Sequence, residues 1–346
     1  MTMRSFASDN NSGVHPLVWE ALRKADDGHA VGYGDDPWTN EALNLLKQTF
    51  GSESASFIVL NGTGGNILSL QLATRPYHSI LCSDTAHILV DECGAPVKAT
   101  GCPIFSLPTP DGKLTPALIR QKLHGFGDQH HSQPGVVYIS QCTELGTVYT
   151  PEEVSAISEL AHQHGLYVHM DGARLANAAA ALGCSLKALT SDCGVDILSF
   201  GGTKNGLMMG ECVVVFHPDL QATAAFVRKQ SAQLASKMRY LSAQLSCYLK
   251  EDLWLENANH ANSMARLLHD ELSRYPEIRF TQQPQTNALF LTMPRPVIDA
   301  LLKDWFFYFW NEPGNEIRLV CSFDTTRDDV LSFLSDVEKA FINNSL

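Results

Sequence analysis

His169-Met170-Asp171-Gly172-Ala173-Arg174 and, further on, Val195-Asp196-Ile197-Leu198-Ser199-Phe200-Gly201-Gly202-Thr203-Lys204-Asn205-Gly206 are the stretches around which the rest of the chain is organised. The apolar run Leu166 to Met170 reads as a short buried strand, and Asp171 falls where that strand ends, before the small residues of a turn. Val195 to Phe200 reads as a second strand. Lys204 follows it in a loop too rich in glycine for a helix interior. An acid and a lysine therefore arrive at strand ends, where both can face one crevice.

That pair is what pyridoxal phosphate chemistry requires. A lysine amine holds the cofactor as a Schiff base, and an acid keeps the pyridine nitrogen protonated so that the ring draws electrons from the substrate's α-carbon. Taken singly, Asp171 reads as a turn cap and Lys204 as a solvated loop lysine. Together, with Arg174 beside them, they point to the cofactor.

Composition narrows the possibilities. The chain has 346 residues, 45% of them hydrophobic, and a mean hydropathy near zero, which suits a large globular core with a smaller appendage. No apolar run is long enough to cross a bilayer, and the start, Met1 to Asn10, lacks the apolar core of a signal peptide, so a cytoplasmic protein is expected. The net charge of −12 argues against nucleic acid or an anionic membrane as partner. Nine scattered cysteines without a Cys-x-x-Cys pair suggest reduced thiols, with neither a disulfide framework nor a metal site.

Outward from the central pair, strands and helices alternate. Helices are expected over Pro16 to Ala25 and from Pro37 to about Phe50, with Gly28 to Pro37 between them as an active-site rim or a plain connection. Ser56 to Leu60 reads as a strand and Ile67 to Leu72 as a helix body. The turn Asn61-Gly62-Thr63-Gly64-Gly65-Asn66 that joins them can offer a phosphate the free N–H groups of a helix start. Ser79 to Cys82 is a strand leading to His87 and a helix carrying Asp91 and Glu92. His87 is a structural histidine or an imidazole stacked on a pyridine ring. Val136 to Ser140 is a strand that delivers Thr143 and Glu144, and Pro151 opens a helix on which His162 and His164 serve the helix dipole or solvent. Cys212 to Phe216 is another strand, and His130-His131 reads as solvated loop. The order implies an α/β fold with a mostly parallel central sheet and helices on both faces. Ligands bind such sheets at the strands' carboxyl ends, where Gly62, His87, Glu144, Asp171 and Lys204 all fall.

Leu220 to about Leu249 has a helical pattern rich in small residues and carries Lys229, Lys237 and Arg239, as a long helix packed on another subunit would. From residue 251 the pattern becomes a smaller α+β unit. The expected organisation is a large cofactor-binding domain with an N-terminal arm over residues 1–250 and a small C-terminal domain over 251–346. Trp305-Phe306-Phe307-Tyr308-Phe309-Trp310 reads as a buried strand or packing edge.

Phe6-Ala7-Ser8-Asp9-Asn10, Tyr33-Gly34-Asp35-Asp36, Asn61-Gly62-Thr63, Ala86-His87, Asp91 to Pro96, His169 to Arg174, Phe200 to Gly206, Ser236-Lys237-Met238-Arg239 and Ile317-Arg318, in that order, resemble the threonine aldolase family of fold-type-I pyridoxal phosphate enzymes, in its low-specificity L-threonine aldolase branch. The resemblance implies that Lys204 carries the cofactor, Asp171 pairs with the pyridine nitrogen, His87 stacks on the ring, and Gly62 and Thr63 hold the phosphate. It implies that Ser8, Arg174 and Arg318 surround the substrate carboxylate, and that Arg239 reaches a neighbouring subunit's phosphate in a homotetramer with shared active sites. Where many members have Thr-His-Asn-Gly, this chain has Thr143-Glu144-Leu145-Gly146, so Glu144, His87 or water is the candidate general base.

The expected reaction is retro-aldol cleavage of β-hydroxy-α-amino acids, such as L-threonine or L-allo-threonine, to glycine and an aldehyde. β-Elimination or transamination on the same cofactor is the alternative within the class. A nucleotide-binding module using residues 61–66 is the alternative outside it, disfavoured because the turn lacks both a Walker lysine and Gly-x-Gly-x-x-Gly.

Overall fold

Apolar residues at successive strand positions face opposite ways, and in this chain both faces find helices to cover them. The computed structural model describes residues 5–344; residues 1–4, where the stretch inspected for a signal peptide begins, and 345–346 lie outside the described residues. A seven-stranded sheet contains β1 (Ala55–Val59), β2 (His78–Ser83), β3 (Ile104–Leu107), β4 (Gln133–Ser140), β5 (Tyr167–Gly172), β6 (Ile197–Phe200) and β7 (Glu211–Val215), in the order β1-β7-β6-β5-β4-β2-β3. Only β7 runs antiparallel to its neighbours in this sheet. The other strands therefore all end at one edge, and β7 begins there.

Along β4, Val136 and Tyr138 enter one apolar cluster while Val137 and Ile139 enter another, and on β7 Val213 and Val215 separate from Cys212 and Val214 in the same way. Helices Gly62–Ala73 and Pro218–Gln230 cover the first face. Pro37–Phe50, Pro151–Gln163, Leu175–Leu182 and Arg239–Leu249 cover the second. Side-chain caps set several helix starts: Asp36 accepts the Thr39 N–H, and Thr150 with Glu153 forms a reciprocal capping box.

Three expectations change. The glycine-rich turn after β1 is already the first turn of its helix, which begins at Gly62. The helix expected to carry Asp91 and Glu92 ends at Val90, because Cys93 and Gly94 adopt left-handed backbone (φ 51° and 70°) and turn the chain back before a second short helix, Ala95–Thr100. The long helix over 220–249 breaks between Gln230 and Arg239; Ala232 is left-handed, and the Gln233 side chain accepts the Leu60 N–H.

A second sheet holds β8 (Arg279–Phe280), β9 (Ala288–Thr292), β10 (Tyr308–Asn311) and β11 (Glu316–Val320) in the order β10-β11-β9-β8, all antiparallel. Helices Leu253–Leu272, Arg295–Leu301 and Arg327–Asn343 accompany it. Its core includes Phe6, whose ring meets Trp305 and Phe333, and whose backbone donates to the Phe306 carbonyl and accepts from the Val320 N–H. The N-terminal arm, assigned above to the large unit, is thus anchored in the small one, and three residues later Asp9 crosses to Arg174. The aromatic run is not uniformly buried: Phe307 is, but Phe306 and Tyr308 are 40% and 44% exposed, because alternate residues of the strand leave the core. Among the described residues no helix is long and apolar enough to cross a membrane.

Candidate active site

A cavity of about 300 Å³ opens at the edge where the parallel strands end, and segments following β1, β2, β4, β5 and β6 line it together with the start of β7. Gly62, Thr63, His87, Glu144, Asp171, Arg174 and Lys204 all line it. A hollow of similar size between the helices near Trp38 and Cys247 contains none of the candidate residues.

One end of the cavity suits an anion. The first N–H groups of a helix lack intrahelical acceptors. Of these, Gly64 is taken by Asn61 Oδ1 (2.8 Å), and the regular helical bonds begin with Gly65 to the Asn61 carbonyl (3.0 Å), which leaves the N–H groups of Gly62 and Thr63 at the positive end of the helix dipole. Glycine lets this helix start press against the sheet: a Cβ on Gly65 would lie 2.4 Å from Ser199 Oγ.

Asp171 is fixed by three donors. Asn66 Nδ2 and Tyr138 OH reach its Oδ2 (2.8 and 2.9 Å), and the Ala173 N–H reaches Oδ1 (2.9 Å). Burial pushes its carboxyl up, but the Asn66 amide, the charges of Lys204 and His87 and the Ala173 N–H outweigh it and hold the group below its ordinary value. Burial, reinforced by the Arg174 guanidinium, pulls the Lys204 amine below its ordinary value, so it becomes neutral and nucleophilic more readily.

His87 Nδ1 lies 2.9 Å from Glu92 Oε1, and this contact raises the imidazole's affinity for its proton. The same oxygen accepts Asn66 Nδ2 (2.8 Å), so one amide ties Glu92 to Asp171. Ligand atoms of His87, Glu92 and Asp171 lie within 4.8 Å of one another; the Asn66 amide binds one oxygen of each carboxylate, while Glu92 Oε2 is buried without a partner among the described residues. Glu144 Oε1 accepts the His87 N–H (2.8 Å) and the Ser140 hydroxyl (2.6 Å). Its Oε2 is buried without a partner among the described residues, and burial raises the carboxyl.

Three sequence candidates are not among the cavity's lining. Ser8 lies on a separate small recess, and its Oγ accepts the Asn10 N–H, capping the turn Asp9–Asn11. Arg239 donates to the Asp27 and Gly28 carbonyls and lies over the Trp38 and Tyr240 rings. Arg318 sits on β11, with Nη2 donating to the Ala7 carbonyl (3.0 Å) and Nε buried without a partner. Arg174 lines the cavity, but Asp9 already grips it through two hydrogen bonds of 2.7 and 2.8 Å.

Several functional-looking residues escaped the sequence reading. Tyr138 and Asn66 are polar interruptions in apolar strand and helix patterns, a signal that was available. Glu92 stands in the sequence only within an expected helix and the Asp91–Pro96 motif, and Asp9 only within the Phe6–Asn10 motif, neither with a role of its own. Glu211 gave no signal, since it reaches the cavity only because β7 runs backwards. Its carboxylate accepts the Gly202 N–H (2.9 Å) and the Thr203 N–H (3.4 Å), which shapes the turn that presents Lys204, and burial pushes it up to about 7.

Pyridoxal phosphate fits this donor set, with backbone N–H groups at a helix start for its phosphate, a buried amine for its aldehyde and an ionised carboxylate for its ring nitrogen. On this sheet topology, such a site places the protein in the fold-type-I class of pyridoxal phosphate enzymes. Residues 5–295 match the beta-eliminating lyase family. A low specificity L-threonine aldolase of Pseudomonas aeruginosa is 43% identical over 336 residues, covering 96% of this chain and 97% of that protein. One from Escherichia coli is 30% identical over 55% of this chain and 56% of that protein. The threonine aldolase of Leishmania major superposes with a TM-score of 0.92 at 30% identity, covering 97% and 98% of the two chains. A serine palmitoyltransferase of Sphingomonas wittichii, 14% identical over 99% of this chain and 88% of that one with a TM-score of 0.75, shares the fold. The chain belongs to the threonine aldolase family.

Proposed function

We propose that the protein is a low-specificity L-threonine aldolase that cleaves L-threonine, L-allo-threonine and related β-hydroxy-α-amino acids to glycine and an aldehyde. Bound pyridoxal phosphate supplies the electron sink for the α-carbon. Lys204 would hold the cofactor, Asp171 would pair with its ring nitrogen, the Gly62 and Thr63 N–H groups would bind its phosphate, and His87, kept in place by Glu92, would stack on the ring. Arg318, outside the cavity's lining, takes the substrate carboxylate: its Nε is buried without a partner among the described residues, whereas Arg174 is engaged by Asp9.

The observation that carries the aldolase reading is Glu144. One of its oxygens is held by two donors, the other is free, and burial raises its proton affinity. It accepts the β-hydroxyl proton as the Cα–Cβ bond breaks; the bonding pair stays with the α-carbon, which then takes a proton to become glycine, while the β-carbon leaves as the aldehyde. The beta-eliminating description of the matched family keeps β-elimination as the second reading.

Arg239, turned away from its own chain's cavity, supports a homotetramer in which it serves a neighbouring subunit's phosphate. A cytoplasmic location fits the composition. Purified protein supplied with pyridoxal phosphate is expected to release equal amounts of glycine and acetaldehyde from L-threonine, and the Lys204→Ala variant to release neither. Ammonia with a keto acid in place of those products would overturn the reading in favour of elimination.

A further inference from the structure

The aromatic run Trp305 to Trp310 takes no part in the chemistry above, yet its geometry beside Arg318 gives it one. Tyr308 of β10 lies opposite Arg318 of β11, and Phe290 of β9 lies opposite Arg318 on the other side. Residues directly opposed in a sheet share a face, so Tyr308, Arg318 and Phe290 form a row. Trp310, at the irregularity where the β10 register shifts, joins it: its ring stands 5.0 Å from that of Phe290 and 5.5 Å from the Arg318 guanidinium, which is 5.7 Å from the Tyr308 ring. Leu145, next to Glu144, packs into the same small apolar cluster as Phe290 and Trp310. The row therefore abuts the loop that carries Glu144.

Arg318 has no carboxylate partner among the described residues; its one protein hydrogen bond goes to the Ala7 carbonyl, and Nε is buried with none. A carboxylate counter-ion would occupy the planar N–H fork. Ring faces stabilise the cation while leaving in-plane donors open. We propose that Tyr308 and Trp310 are positioning residues whose ring faces hold the Arg318 guanidinium in place, so that its free N–H edge can receive the α-carboxylate of the amino-acid substrate. The proposal rests on the reading of Arg318 as the carboxylate clamp. Burial and the nearby Arg174 both weaken the cation's hold on its proton, which is the electrostatic strain that a bound carboxylate would relieve.

The test compares Tyr308→Leu, Trp310→Leu and their double variant with Tyr308→Phe and Trp310→Phe, all as cofactor-loaded enzyme. It measures kcat and KM for L-threonine, glycine affinity by titrating the cofactor's absorbance, and Tm. Cation–π contacts contribute on the order of 0.5–2 kcal/mol each, so the double leucine variant is expected to weaken glycine binding and raise KM roughly tenfold. Its kcat should stay within about threefold of wild type, and the phenylalanine variants within about twofold in all constants. In an Arg318→Gln background the leucine changes should add nothing further. Leucine variants that lower Tm but leave glycine affinity and KM unchanged would show that the rings only pack, as would equal losses in the Arg318→Gln background. Failure of the wild type to cleave threonine would overturn the proposed function instead, and the glycine titration would still test the ring cradle.

Discussion

Replacing Glu144 with glutamine removes a proton acceptor and almost nothing else. Glu144 Oε1, which accepts the His87 N–H and the Ser140 hydroxyl, can be kept by the glutamine carbonyl, while the amide nitrogen takes the place of the unpartnered Oε2. With both hydrogen bonds retained, stability should change by no more than about 1 kcal/mol. A general base contributes about 10²–10⁴-fold, so kcat for L-threonine should fall by that factor, equivalent to about 3–5 kcal/mol of barrier, with KM and the cofactor's absorption little changed. The pH profile gives a second reading. Burial raises the Glu144 carboxyl above the usual value, and the base must be ionised, so wild-type kcat should fall as pH drops through that raised pKa. The variant should lack this acid limb. The assay is initial-rate release of acetaldehyde, matched against glycine, across pH. A kcat within threefold of wild type with the acid limb intact would refute the reasoning and move the role to His87.

Other perturbations test the frame around this group. Asp9→Asn leaves Arg174 buried without its counter-ion and should cost about 3–5 kcal/mol at neutral pH; because the Asp9 carboxyl is depressed when folded, that stabilisation exists above the ordinary carboxyl pKa, and the Tm gap should close as pH falls below it. Glu211 behaves oppositely. Its folded pKa is raised to about 7 from 4.5, so its own contribution to apo-protein stability is greatest below pH 4.5 and declines by up to about 3 kcal/mol as pH rises through 7, a component of the pH dependence that Glu211→Gln should remove, as seen by comparing melting curves of variant and wild type across pH. Asn66→Ala removes a donor shared by Asp171 and Glu92 and should weaken pyridoxal phosphate binding about tenfold, at roughly 1–3 kcal/mol for an unpaired buried acceptor, as read by absorbance titration.

What could be read from the chain followed from local rules. Short apolar runs mark buried strands, glycine and small residues mark where they stop, and the carboxyl-edge rule for parallel sheets then gathers Gly62, His87, Glu144, Asp171 and Lys204 without any coordinates. The interruption at 231–238 was hidden because apolar and small residues continue through it, and only the left-handed Ala232 and the reach of Gln233 to the Leu60 N–H break the helix; at Cys93–Gly94, by contrast, Gly94 and Pro96 are visible stop signals, which the expected helix overran.

The sequence by itself determined the class of site and most of its edge, because each of those residues is placed by its own strand's end. Tertiary structure alone decided the rest, through contacts between segments far apart in the chain. Strand β7 is antiparallel, so Glu211 begins where its neighbours finish. The amide of Asn66 joins the carboxylates of Glu92 and Asp171. Asp9 occupies Arg174, while Arg318 lies over the Tyr308 and Trp310 rings with its Nε unpartnered among the described residues. Strand direction and register are settled by which faces can be buried together, and no local pattern along the chain encodes them.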